Sequence, residues 1–179
     1  GLVEVLMRAG DEGETNEIKR QGLLALTYLS YAPDNKVPMF SQPGLVEVLM
    51  RAGDKGETSE IKRQGLMALA NLAVADGNKV PMFTSPRLME ELMRAAEKGE
   101  TSEVKHMGLM ALANLSVAAD NKVPMFAKPG LLEMLISAAG KGETSEIKRE
   151  GLRALASLAD SDDNLMAMFS KPGLVEVLM

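Results

Sequence analysis

One series of side chains keeps a fixed order along this chain. In residues 59–75 it is Glu60, Arg63, Gln64, Met67, Asn71 and Val74. A guanidinium holds carboxylates, a primary amide both donates to and accepts from a peptide backbone, and methionine takes apolar side chains of irregular shape. Together these groups recognise a partner; none is an activated nucleophile. The series returns as Glu17, Arg20, Gln21, Leu24, Tyr28 and Tyr31, and again as Glu103, His106, Met107, Met110, Asn114 and Val117. Both tyrosines of the chain stand on it, and tyrosine is a preferred interface anchor. The last copy carries Arg153, Ser157 and Asp160, so the stripe turns polar and weakens there. His106 is the one histidine in a chain without cysteine, a poor metal ligand or catalytic base on that count. Gly140-Lys-Gly-Glu-Thr144 has a flavour of a phosphate loop, but no strand precedes it and the spacing fails. No nucleophile, base and orienter recur together, so the expectation is a protein that is not an enzyme and uses no cofactor or metal.

The elements that carry the series follow from a repeat. Pro43, Pro86, Pro129 and Pro172 are spaced by 43, as are Thr15, Thr58, Thr101 and Thr144, and Phe40, Phe83, Phe126 and Phe169. Residues 34–76 predict three helices. A short first helix, Lys36–Phe40, is capped by Asp34 or Asn35, with Pro38 in its first turn. Pro43-Gly44 turns the chain into a second helix over 45–52. Gly56 ends it, with Gly13, Gly99 and Gly142 at the same place, where a helix end favours a left-handed residue. Thr58 caps a long third helix, with Glu60 in its first turn. At 100° per residue Ile61, Gly65, Leu66, Ala68, Leu69, Leu72 and Ala73 share one wide apolar face, the predicted core, opposite the polar series. Mid-helix glycine costs about 1 kcal/mol against alanine, so Gly22, Gly65, Gly108 and Gly151 point to a neighbouring backbone in close approach. Met39, Met82, Met125 and Met168 have core spacing, and Lys19, Lys62, Lys105 and Lys148 lie at its edge.

Composition is that of an ordinary globular protein: 46% hydrophobic and 25% charged over 179 residues. No apolar run reaches the length of a membrane span, so no membrane partner is expected. The net charge of −5 counts against nucleic acid. Absence of cysteine fits a reducing compartment, hence a cytoplasmic or nuclear location. The chain reads as one repeat domain over 1–179, with units at 34–76, 77–119 and 120–162 and partial units at 1–33 and 163–179. Residues 1–7 and 173–179 are the same heptapeptide, so the expectation is an excerpt of a longer array.

Asn35-Lys-Val-Pro-Met-Phe-Ser-Gln-Pro-Gly-Leu45 and, more specifically, Leu66-Met-Ala-Leu-Ala-Asn-Leu72 after Glu60-Ile61 resemble the armadillo repeat, with its N-R-Q-A-I-V-x-x-G-G-I and E-V-x-x-x-A-x-x-A-L-x-N-L segments. A third helix and the A-L-x-N-L pattern disfavour HEAT repeats. The resemblance implies an all-α, right-handed superhelical solenoid whose third helices line a concave face. It implies that Asn71 and Asn114 hold the backbone of an extended peptide, with Tyr28 and Ser157 at the same position. The tryptophan that import adaptors carry one turn earlier is Leu24, Met67, Met110 and Arg153 here. The candidate peptide-binding set is therefore Leu24, Tyr28, Tyr31, Arg63, Met67, Asn71, His106, Met110 and Asn114. The partner is a protein or peptide in the groove; the alternative is a structural element that self-associates end to end.

Overall fold

The computed structural model describes residues 1–171 and 174. Twelve helices follow one another among the described residues. They are α1 (Leu2–Glu12), α2 (Asn16–Leu29), α3 (Pro33–Phe40), α4 (Leu45–Lys55), α5 (Ser59–Leu72), α6 (Asp76–Phe83), α7 (Pro86–Lys98), α8 (Ser102–Ser116), α9 (Ala119–Phe126), α10 (Leu131–Lys141), α11 (Ser145–Ala159) and α12 (Asp162–Phe169). The third helices α2, α5, α8 and α11 stack side by side, and each packs against the second helix of its own unit. Every residue of the predicted core face of α5 is buried. Leucines at 49, 66, 69, 72, 88, 92, 109, 112 and 115 form one continuous layer between the second and third helices. Each contributes roughly 1.5–3 kcal/mol through its lost water contact.

The third helices begin as their sequence dictates. Thr15, Thr58, Thr101 and Thr144 are extended, and each hydroxyl accepts the amide three residues on, at 3.2–3.3 Å. The close-approach glycines are also explained. A Cβ on Gly65 would stand 2.6 Å from the Leu49 carbonyl oxygen, and the same atom on Gly22, Gly108 or Gly151 would strike backbone of the second helix.

Two local expectations are corrected. The first helix starts at Pro33, not Lys36, after Ala32 and without a side-chain cap. Pro33 supplies the helical φ and lacks the amide that position leaves unpaired. Pro38 therefore lies inside the helix, where it leaves the carbonyl of exposed Asp34 to water. The asparagine expected as a cap has another task. Asn78 donates to the carbonyls of Lys36 and Leu72 at 3.0 and 2.9 Å, tying each unit to the one before, and Asn121 and Asn164 repeat both bonds. The second correction concerns Gly56, which has φ −52° and is not left-handed. Its lack of a side chain matters for space: a Cβ there would meet the Ala52 carbonyl oxygen at 2.5 Å and Ile61 Cγ2 at 2.7 Å. Among the described residues the left-handed glycines are Gly44 and Gly130, at φ +80° and +78°, where the chain enters α4 and α10.

Candidate functional site

Burial of one face of the third helices leaves the other to face away from the second helices, and the four helices set these faces in a row. Tyr28 and Tyr31 stand at its first end, 61% and 49% exposed, their ring centroids 6.1 Å apart and tilted by 31°. The Tyr31 hydroxyl and Nη1 of Arg63 both approach Sδ of Met67, at 3.7 and 3.9 Å. Leu24, Met67 and Met110 are half-buried along the middle, and Val74 and Val117 are exposed at the helix ends. Arg20 and Arg63 are each closed onto the glutamate three residues earlier. Glu17 is held at about 2, first by its hydrogen bond from Arg20 and then by that from Gln21. The first two units therefore present neutral, paired edges and an aromatic and thioether surface between them.

The two asparagines differ in what remains open. Asn71 donates to the Ser30 hydroxyl at 2.9 Å, and its Oδ1 accepts nothing from the described residues. Asn114 donates to the Ala70 carbonyl at 2.9 Å, and its Oδ1 takes a 2.6 Å hydrogen bond from Nη2 of Arg153. The same Nη2 reaches the Met110 carbonyl at 3.3 Å and Oε2 of Glu150 at 2.9 Å. Both amides thus knit neighbouring third helices together, and of the two only Asn71 keeps its oxygen free of partners among the described residues.

One part of the exposed series was misplaced by the helical projection. Gln64 and Met107 are buried, and so is Glu150, at the same position of the fourth unit, to 3% exposure. The position points sideways at the preceding third helix, so only Gln21, which has no such helix beside it among the described residues, is exposed. Glu150 is the residue that sequence reasoning missed; its signal was a carboxylate where the other units carry glutamine or methionine. His106 is half-buried near it. Burial lowers the imidazole pKa, Glu150 raises it and Arg149 lowers it, with burial dominant. His106 is therefore neutral near pH 7, and its Nε2 is buried without a partner among the described residues.

The other edge of the third helices carries a second ladder. Lys19 meets Glu57 at 2.7 Å, and Lys62 with Glu100 and Lys105 with Glu143 repeat that ion pair. This accounts for Lys19, Lys62 and Lys105 of the four lysines expected at the core edge; Lys148 is exposed.

No protein-family description matches the sequence, and neither does any curated protein. Solved structures do. An engineered protein is 25% identical, with 98% of this chain and 70% of the other superposed at a TM-score of 0.83. A designed armadillo repeat protein in complex with the peptide (KR)4 is 16% identical over 99% of this chain and 71% of its own, at 0.82. UNC-45 from Drosophila melanogaster is 19% identical over 98% of this chain and 22% of its own, at 0.73. The chain has an armadillo-like repeat fold, an all-α solenoid.

Proposed function

We propose that the chain is an interaction scaffold that receives an extended peptide along the row of third helices, on the concave face of the solenoid. The observation that carries this reading is the company Asn71 keeps. A free amide acceptor stands between Tyr28, Tyr31 and Met67 on one side and Met110 on the other, on helices whose opposite face is buried in the core. Backbone amides of an extended ligand donate to Asn71 Oδ1 while the tyrosines and methionines take its side chains. Support also comes from similar structures of designed armadillo repeat proteins, one holding the peptide (KR)4 and another made for modular peptide recognition. Random peptides displayed on phage and panned against the intact chain supply the ligand. Asn71→Ala is then expected to weaken its binding by ~1–3 kcal/mol with helicity unchanged, because the ligand amide loses its acceptor. Affinity equal to the parent's by calorimetry would place the groove elsewhere.

A second reading, end-to-end association of copies, is favoured by the matching halves of the interface between units. Leu2 and Val5 are each 65% exposed, whereas Leu45 and Val48 at the same positions are buried. Ile18 is exposed where Ile61 is buried, and Leu152 where Leu66 and Leu109 are. Glu14 and Lys148 are exposed, the two halves of the pair that Lys19 and Glu57 complete inside the molecule. Further units of a longer array would cover the same faces. Light scattering is expected to show mass rising with concentration in the parent and not in Ile18→Glu; a constant monomer mass rejects association.

A further inference from the structure

We infer that Arg153 sets the length of the peptide track, by filling the rung that the fourth unit would otherwise offer. The inference rests on the peptide-binding reading of the third-helix row. At this position the earlier units carry Leu24, Met67 and Met110, uncharged side chains that leave the row open. In the fourth unit the guanidinium of Arg153 reaches back across α8. Its Nη2 donates to Asn114 Oδ1 at 2.6 Å and to the Met110 carbonyl at 3.3 Å. The same Nη2 lies 2.9 Å from Oε2 of Glu150, which is 3% exposed. Arg149 Nε donates to the other oxygen of that carboxylate at 3.2 Å. A buried carboxylate needs a cation beside it, and Arg153 supplies one. Glu150 and Arg153 therefore work as a unit. They replace the glutamine and methionine of the second unit, Gln64 and Met67, and they consume the acceptor of the second asparagine.

The consequence is a site with one open end and one closed end. It runs from Tyr28 and Tyr31 across Met67 and Asn71 to Met110, and there a ligand backbone meets an acceptor already taken. With packed helices about 8–10 Å apart, the open track spans two gaps, which about six extended residues cross. Without Arg153 across it, the α11 rung would be open too, and the track from α2 to α11 would span three gaps and take about nine residues.

Peptides of about twelve random residues, displayed on phage, are panned against the intact parent and against Glu150→Gln/Arg153→Met, which copies the second unit's pair into the fourth. Winners are synthesised, trimmed from either end one residue at a time, and titrated by calorimetry. In the parent, affinity is expected to stop rising at about six residues; in the double variant it continues to about nine, with a final gain of about tenfold, the scale of a regained hydrogen bond. Binding by the double variant alone also supports the inference, because the block is then complete in the parent. Parent affinity that keeps rising to nine residues overturns the role of Arg153 while leaving peptide binding intact. Failure of both proteins to enrich any peptide overturns both readings. Should circular dichroism show the double variant unfolded, Arg153→Met alone, which keeps Glu150 beside Arg149, carries the same comparison, and the parent's trimming series stands by itself.

Discussion

Gly65→Ala is expected to destabilise the chain by about 1–3 kcal/mol, although the same change at an open helical site gains about 1 kcal/mol. The reason is distance. The new methyl would lie 2.6 Å from the Leu49 carbonyl oxygen and 2.9 Å from both Ala52 Cβ and Gly53 N, so a whole helix must move to admit it. Movement of α4 against α5 loosens the leucine layer they share and the interface with the next unit, since solenoid stability is carried by such nearest-neighbour contacts. Gly53→Ala is the control. There a Cβ meets only side-chain atoms of Leu66, the nearest at 3.0 Å, and the third and fourth units carry Ala96 and Ala139 at the same position. Urea melts are expected to show Gly53→Ala neutral within about 0.5 kcal/mol or stabilising, and Gly65→Ala clearly destabilised. Equal behaviour of the two would sink the close-approach account.

The contrast between these glycines shows where sequence reading works. Gly65 was interpretable because a helix breaker kept in phase on the core face of four units requires a backbone nearby. The threonine caps and the core face were legible for a similar reason: each is a local rule, hydroxyl before helix or apolar residue every third or fourth place, and packing agrees with it. Gly56 and Asn35 were misread because each satisfies two rules at once. A glycine after a helix suits a left-handed turn and also a tight crossing, and here Ile61 and the Ala52 carbonyl decide for the crossing. An asparagine at a helix start suits a cap, but the carbonyls presented by the preceding unit claim the amides of Asn78 and Asn121. Neighbouring units lie 43 residues away in the chain, and no local rule contains them.

The candidate site was less legible, again because of what lies across a gap between units. A helical projection separates the core from the opposite face but does not mark the flanks that touch the next third helix, so Gln64 and Met107 were grouped with exposed residues and Glu150, at the same position, went unnoticed. Nor does it distinguish Asn71 from Asn114, which stand in identical heptapeptides, Leu66–Leu72 and Leu109–Leu115. The difference between them comes from Arg153, on another helix. The tyrosines, by contrast, stand where the projection put them, because nothing packs over that end of the row among the described residues.

Those tyrosines carry the largest expected effect on binding. Tyr28→Ala with Tyr31→Ala should weaken a selected peptide by ~2–4 kcal/mol, about a hundredfold, since interface energy concentrates in a few large aromatic anchors. The rings lie 6.1 Å apart at 31°, a tilted pair that offers two adjoining faces to one ligand side chain. The Met67 sulfur closes the cleft behind Tyr31, 3.7 Å from its hydroxyl. Stability should move by no more than about 0.5 kcal/mol per site, because both side chains are largely in water and neither supports the core. Tyr28→Phe with Tyr31→Phe separates area from polarity: if the ring faces do the binding, this variant keeps most of the parent's affinity. Calorimetry with the peptide selected against the parent measures all three proteins. A double alanine variant that is folded and binds within threefold of the parent would remove the tyrosines from the site, and with them the aromatic end of the track.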